Sequence, residues 1–355
     1  MGAVTGKGLA DLIRENFGVK VAFWVLIVFV LGDLGNTAAE FAGIASAAPI
    51  LQTYSPLFSQ YALVPLAAAF VFVMVTRGNY KFIERVFFVF CAVYVSYVIS
   101  GIMVHPPWHE VFRQTLVPHI QPTKAYLIMA IGVIGTTISP WMQFYIQAAV
   151  VDKGVRVKDY PYSRFDVVSG AILTDVIAFF IIVASAATIY AHNLHATHPL
   201  QIDDAGDVAQ ALAPLAGRYA SLLFALGLLN AAIFTASILP LSTAYYVCEA
   251  LGFERGVQTR FQDATVFYGL YLGLIVIGAG FVLIPGAPLL GVIFYSQVLN
   301  GMLLPVILVL MLILINRKRL MGRYVNGHVF NAIAWTTVVV VGLLTVLSTI
   351  ATLVP

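Results

Sequence analysis

The chain has 355 residues, of which 61% are hydrophobic and 10% are charged, and its mean hydropathy is +0.93. This balance excludes a soluble globular domain and is typical of a polytopic membrane protein. The net charge of +3 belongs to the loops and indicates no nucleic-acid partner, and the two distant cysteines favour neither a disulfide nor a cysteine-based metal site.

The first twenty residues predict an amphipathic helix at the membrane interface. Leu9, Leu12 and Ile13 share one side of this helix, and charged residues occupy the other. The segment is polar and the apolar run after it is too long for a signal core, so we expect no cleavable signal peptide. We therefore divide the chain into a cytoplasmic amphipathic segment, 1–20, and a single transmembrane domain, 21–355.

Nine apolar stretches follow, and most reach the roughly 20 residues that cross about 30 Å of hydrocarbon. They are 21–51, 61–76, 83–104, 125–151, 167–191, 219–250, 266–284, 289–315 and 330–353. The predicted fold is therefore all-α, a bundle of nine transmembrane helices.

The positive charges orient this bundle. When alternate connections are assigned to one side of the membrane, beginning with the N-terminus, that side receives sixteen of the 19 Lys and Arg residues. The other side receives Arg113, Lys124 and Arg218. Because cytoplasmic loops carry the excess of Lys and Arg, the N-terminus is predicted to be cytoplasmic and the C-terminus external.

One predicted helix carries signals for a break at its middle. Its ends are apolar, but the segment from Gly132 to Pro140 contains two glycines, two threonines, a serine and a proline. Pro140 has no N–H and its ring clashes with the carbonyl four residues earlier, so helical hydrogen bonds near Thr136 are expected to be lost. Discontinuous helices of this kind form the midplane binding sites of secondary transporters.

Inverted repeats predict a second broken helix in the other half of such a fold. None of the earlier spans in this chain contains a comparable break. We therefore expect the partner of the broken helix to lie upstream of Met1, with the first two helices of the fold lacking here.

Several short motifs, in order, resemble one family. They are VTGKGLADLIRE at 4–15, Glu40-Phe-Ala-Gly43, the Gly135–Pro140 stretch, Ser296-Gln297 with Leu304-Pro305, and Leu320-Met321-Gly322 with Asn326. Together they resemble the natural resistance-associated macrophage protein (Nramp) family of divalent-metal transporters, from the end of its second helix to its eleventh. Their order and spacing carry the resemblance, since each motif alone is weak.

The resemblance implies two inverted five-helix repeats, as in the sodium-coupled amino-acid symporters, plus one extra helix. The end of the first repeat would be 21–104, the second repeat 124–315 and the extra helix 330–353. In the family, the metal lies between two unwound helices, of which the first supplies an Asp-Pro-Gly-Asn motif. This chain has no counterpart of that motif.

The resemblance also implies a set of ligands for the transported ion. Thr136, Thr137 and Ser139 lie at the break, and Gln297 matches a glutamine that approaches the metal in the family. Ser139 stands where the family has a methionine, so a soft thioether ligand is replaced by a hard oxygen. This favours a harder, partly hydrated cation such as Mg²⁺, with Mn²⁺ second.

A polar pathway is predicted from Asp33, Thr37, Glu40 and Trp141. Spacings of four and three residues place the first three on one helix face, and their cost in hydrocarbon directs that face to the bundle interior. Thr37 stands where the family usually has an acidic residue, and Trp141 where it has a histidine. We therefore expect weak or absent proton coupling.

The predicted function is alternating-access transport of a divalent cation by a protein that is not an enzyme and needs no cofactor. Its partners would be the metal ion, protons and the lipid bilayer, and a bacterial plasma membrane would be its location. Two alternatives remain open: an amino-acid or organic-cation carrier on the same fold, and a truncated, non-transporting membrane scaffold.

Overall fold

The computed structural model describes residues 1–77, 91, 94–117, 120–121, 123–190, 208, 220–257 and 259–353. Within these ranges the chain is almost entirely helical. The principal helices are α1 (Leu9–Phe17), α2 (Val19–Gln52), α3 (Gln60–Arg77), α4 (Val95–Met103), α5 (Trp108–Leu116), α6 (Lys124–Thr137), α7 (Pro140–Asp152), α8 (Tyr160–Ser185), α9 (Ala220–Leu251), α10 (Thr265–Val282), α11 (Leu289–Ile315) and α12 (His328–Leu353). Short helical segments complete the set: Gly2–Thr5, Pro56–Phe58, Val157–Asp159, Ala186–Tyr190, Lys318–Met321 and Gly322–Tyr324.

Eight stretches of this described part are long and apolar enough to cross a membrane. They match eight of the nine predicted spans, with α6 and α7 together forming one of them. The N-terminal part of the remaining predicted span, 83–104, lies mostly outside the described residues, and its C-terminal part is helical as α4. The chain is therefore an integral membrane protein with an all-α fold.

Helix α2 lies at the centre of the bundle. It packs against α9, α10 and α11, and more peripherally against α1 and α3. Its buried positions from Ala38 to Ala48 are mostly alanine and other small residues, which allow neighbouring backbones to approach closely. At Gly43, for example, an added Cβ would lie only 3.2 Å from the Cβ of Ala232 in α9.

The N-terminal segment is docked on the end of α9. Leu9, Leu12 and Ile13 share one side of α1, as predicted, but this side is fully buried against helices of the bundle and does not lie on the membrane surface. The Glu249 carboxylate accepts a hydrogen bond from the Ala10 N–H at 3.4 Å, which places a negative charge at the N-terminus of α1.

Ion pairs strengthen the same junction. Arg255, in the loop after α9, lies 2.8 Å from the Asp11 carboxylate and 3.6 Å from that of Glu249. Arg317, after α11, donates to the Asn16 side chain at 2.9 Å. Three segments that the charge pattern assigns to the cytoplasm therefore meet at one end of the bundle.

Candidate functional site

The predicted break is present between α6 and α7. Ile138 has φ −128° and ψ 83°, and Ser139 has φ −81° and ψ 140°, so both residues leave the helical region. Pro140 then begins α7 at a first-turn position, where its missing N–H costs nothing. The non-helical residues therefore lie two positions beyond Thr136, which is still in the last turn of α6.

The break leaves backbone carbonyls without their helical partners. In an unbroken helix, the carbonyls of Thr136 and Thr137 would accept from residues 140 and 141, and Pro140 has no N–H to give. Among the residues that the structure describes, no backbone N–H donates to either carbonyl. Both threonine side chains are exposed at this edge of the fold. Two carbonyl oxygens are therefore left without a backbone donor there.

The hydroxyl groups at the break are already committed as donors. Ser139 is buried and donates to the Gly135 carbonyl at 2.8 Å, and Thr137 donates to the Val133 carbonyl at 2.8 Å. Each hydroxyl oxygen keeps lone pairs that can face a cation or a metal-bound water. These residues can therefore supply hard oxygen ligands without losing a bond.

Gln297 of α11 lies against the turn before the break. A Cβ added at Gly135 would clash with the Gln297 carbonyl and with the backbone of Gly301. In the same way, a Cβ added at Gly301 of α11 would clash with the Ile131 carbonyl of α6. Backbone contact between α6 and α11 thus fixes Gln297 beside the candidate ligands.

Asp33 is buried at the interface of α2 with α9. Its Oδ2 accepts hydrogen bonds from the Thr243 hydroxyl at 2.7 Å and from the Tyr246 hydroxyl at 2.9 Å. Its Oδ1 is 3.4 Å from the Asn36 amide nitrogen. All three donors are neutral, so the carboxylate is solvated by dipoles without a cationic partner in the described part of the chain.

Two asparagines connect Asp33 to Gln297. Asn36 donates to the Asn300 amide oxygen at 2.7 Å, and Asn300 donates in return at 3.0 Å. Asn300 also donates to Gln297 Oε1 at 3.1 Å, and Gln297 donates to Ser296 Oγ at 3.3 Å. A continuous chain of side-chain amides thus runs from the buried carboxylate to the vicinity of the break.

The other predicted pathway residues lie outside this chain of amides. The Thr37 hydroxyl donates to the Asp33 carbonyl at 2.7 Å, and its side chain packs against Gly278 of α10. Glu40 is half-buried and makes no hydrogen bond or ion pair with any residue in the described ranges. Trp141 is buried, and its carbonyl accepts a hydrogen bond from Ser242 at 3.0 Å.

Thr243 and Tyr246 were missed by the sequence reasoning. They are three residues apart in an apolar span, so they share a helix face, and that spacing of hydrogen-bonding side chains was the available signal. Asn36 and Asn300 are visible as polar residues within spans, but their pairing is not. It joins residues 264 positions apart.

Within the described ranges, no group of three or more His, Cys, Asp and Glu side chains could hold a metal. The polar groups that the described residues place at the break are carbonyl, hydroxyl and amide oxygens. Such oxygen ligands suit hard cations and leave part of the hydration shell in place.

Among the described residues, a bundle of apolar helices includes a discontinuous one, which defines this protein as a membrane protein of the secondary-transporter class. The family model described as natural resistance-associated macrophage protein-like matches residues 1–351. The chain therefore belongs to the Nramp family.

Named relatives agree with this assignment. The chain is 27% identical over 353 residues to the divalent metal cation transporter MntH of Burkholderia ambifaria, covering 97% of this chain and 75% of the relative. It is 25% identical over 352 residues to MntH of Deinococcus radiodurans, with coverages of 96% and 75%. A variant of the Eremococcus coleocola manganese transporter shares the fold with a TM-score of 0.70 at 20% identity, covering 98% of this chain and 75% of that structure.

Proposed function

We propose that this protein carries a divalent metal cation across the membrane by alternating access around the break between α6 and α7. The observation that carries the proposal is the pair of unpaired carbonyls at Thr136 and Thr137 beside Gln297. Family membership and the names of the MntH relatives support the same function. It is transport without an enzymatic step, and the plasma membrane of a bacterium is the proposed location.

The proposed ligands are Thr136, Thr137, Ser139 and Gln297. They contribute backbone carbonyls, hydroxyl oxygens and an amide oxygen, and none of their side chains contains sulfur. Hard ligands of this kind favour Mg²⁺ or Mn²⁺ over softer transition metals. Since Ser139 holds the end of α6 through the Gly135 carbonyl, it also stabilises the geometry of the break.

We assign the polar pathway to Asp33, Thr37, Glu40 and Trp141, and we propose that it couples weakly or not at all to proton movement. Thr37 cannot titrate, and its hydroxyl is committed to the Asp33 carbonyl. Trp141 likewise has no titratable group. On the helix face that Asp33 and Glu40 share, the residue between the two carboxyl groups is therefore one that cannot hold an exchangeable charge.

The test is uptake into proteoliposomes that contain the purified protein, with Mn²⁺, Mg²⁺ and Ca²⁺ measured in parallel and internal pH recorded by a trapped dye. We expect saturable uptake of Mg²⁺ or Mn²⁺ with little acidification of the lumen. Metal-driven acidification as large as that of a proton-coupled relative would refute weak coupling. Absence of flux for all three ions would refute transport and favour a scaffold, while flux of an amino acid or organic cation would favour the other carrier.

A further inference from the structure

We propose that Asn36 and Asn300 are positioning residues, and that their amide pair makes the availability of the Gln297 oxygen depend on the proton of Asp33. This inference rests on the proposed function, because it concerns the affinity of the same ion site. Its starting point is the unbroken series of hydrogen bonds from Asp33 through Asn36 and Asn300 to Gln297.

In the present arrangement the Gln297 side-chain oxygen is occupied. Asn36 presents its NH₂ group to Asp33, as an ionised carboxylate requires. Asn300 therefore presents its own NH₂ group to Gln297 Oε1, at 3.1 Å. The NH₂ group of Gln297 is left to donate to Ser296 Oγ. An amide oxygen engaged in this way is a poorer ligand for an ion at the break.

A second arrangement of the same side chains preserves the pairing. The oxygen and NH₂ group of an amide occupy nearly equivalent positions, so a half-turn of both asparagines exchanges the two bonds of their reciprocal pair and loses neither. Asn36 then presents its oxygen to Asp33, and this arrangement requires a proton on the Asp33 carboxyl group. One proton therefore selects between two states that both keep the reciprocal bonds of the asparagine pair.

The second arrangement releases the Gln297 oxygen. After the half-turn, Asn300 presents its oxygen to Gln297, so Gln297 must turn its NH₂ group towards Asn300. Its oxygen then lies beside Ser296 Oγ, but the Ser296 hydroxyl is already donating to the Ile293 carbonyl at 2.8 Å. No donor occupies the Gln297 oxygen in this state, and it is free to bind an ion.

The surroundings of Asp33 make it the group in this network that responds to pH. Tyr246 of α9 is the titratable side chain in contact with its carboxylate. The sequences of α10 and α11 contain no charged residue, and the nearest acid on α2 is Glu40, seven residues along.

Other charged side chains of the helices around α2 either have their own partners or lie at a helix end. On α1, Asp11 pairs with Arg14 and Arg255, and Lys7 before it pairs with Glu15. On α9, Glu249 pairs with Arg255, and on α7, Asp152 accepts a hydrogen bond from Tyr245. On α3, Arg77 is the terminal residue of the helix.

Reciprocity gives the direction of the effect. If protonation of Asp33 raises the affinity for the ion, the ion must favour protonation by the same factor. The proton can remain on Asp33 while the ion moves, so acid pH strengthens binding without stoichiometric proton transport. Couplings of this kind change affinity by roughly fivefold or more.

The test measures Mn²⁺ affinity of the purified, full-length protein between acid and alkaline pH. The wild type should bind more tightly as the pH falls. Asp33→Asn should bind at every pH as tightly as the acidified wild type. In this variant the amide oxygen of the new asparagine takes the place of Oδ2, because Thr243 and Tyr246 donate hydrogen bonds there. The NH₂ group of the new asparagine therefore faces Asn36 and imposes the second arrangement. An acid that merely attracts cations predicts weaker binding for this variant.

Asn300→Leu should abolish the pH dependence, because no N–H then reaches the Gln297 oxygen. The control is Asn331→Leu, which breaks a second reciprocal amide pair, with Asn316, at distances of 2.9 and 2.7 Å and outside the site. It should keep the wild-type pH dependence. Asp33→Asn retains the bonds from Thr243 and Tyr246 and those of the asparagine pair, so it remains informative if Asn300→Leu fails to fold. Weaker binding by Asp33→Asn, or an unchanged slope in Asn300→Leu, would overturn the proposal.

Infrared difference spectra between acid and alkaline pH separate this inference from the proposed function, since they need no metal. The carboxyl band that Asp33→Asn removes should shift in Asn300→Leu and stay unchanged in Asn331→Leu. If the wild type binds no metal but the band shifts, the transport proposal fails and the amide coupling stands. An unshifted band in Asn300→Leu would reject the coupling.

Discussion

Gly135 of α6 packs directly against the backbone of Gln297 in α11, with no side chain between them. The contact occurs one turn before the break, and on the far side of it Ser242 holds the Trp141 carbonyl. The ends of the two half-helices are therefore fixed by different neighbours, α11 for α6 and α9 for α7.

Gly135→Ala should destabilise the protein by about 1–3 kcal/mol, because the added methyl group overlaps the backbones of Gln297 and Gly301 and neither can yield locally. Thermal unfolding of the detergent-purified protein measures this change. Gly273→Ala in α10 is the matched control, since a Cβ there meets nothing within 4 Å. Equal melting temperatures for the two variants would show that α6 and α11 are not in contact.

Tyr246→Phe should cost about 1–3 kcal/mol of stability, because Asp33 loses one of the two hydroxyl donors to Oδ2. The cost should be smaller in an Asp33→Asn background, where the acceptor is a neutral amide. A double-mutant cycle from chemical or thermal unfolding gives the coupling. Additive effects would mean that the tyrosine acts through packing alone.

Glu249→Gln should loosen the docking of α1. The substitution removes the negative charge at the N-terminus of α1 and the ion pair with Arg255, at a cost of about 1–2 kcal/mol because Arg255 keeps Asp11 as a partner. Faster proteolysis of residues 1–20 is the readout. Glu254→Gln, at an exposed position five residues along, should have no such effect.

Ser139→Met should shift ion preference towards Mn²⁺ or Cd²⁺ relative to Mg²⁺, because a thioether favours softer metals. Competition uptake in proteoliposomes measures the ratio. Ser139→Ala separates the two roles of the residue, since it removes the bond to the Gly135 carbonyl without adding sulfur. If Ser139→Met leaves the preference of the wild type unchanged, Ser139 is not part of the ligand set.

Features that depend on a single helix were predictable. Eight spans follow from hydropathy, and the break at Ile138–Ser139 follows from the covalent structure of Pro140, although its centre lies two residues beyond the predicted Thr136. The buried face of α1 was also read correctly, because the period of the helix alone determines which side chains align.

The partners within the site were not predictable. The residue types predicted a buried Asp33, but not that Thr243 and Tyr246 would supply its hydrogen bonds. Glu40 and Thr37, which the helical period places on the face of Asp33, do not join the hydrogen bonds to Gln297. The period fixes a direction from the helix axis, while the neighbour found in that direction depends on how other helices pack.

The sequence by itself determined the class of protein, the position of its spans and the interruption of one of them, since desolvation and the geometry of proline act over a few residues. Only the tertiary structure decided that Asn36 meets Asn300 and that Gln297 lies beside Gly135. The physical reason is the distance along the chain over which each interaction acts. A hydrogen bond between residues 264 positions apart forms only after the packing of whole helices has brought both groups within 3 Å of each other.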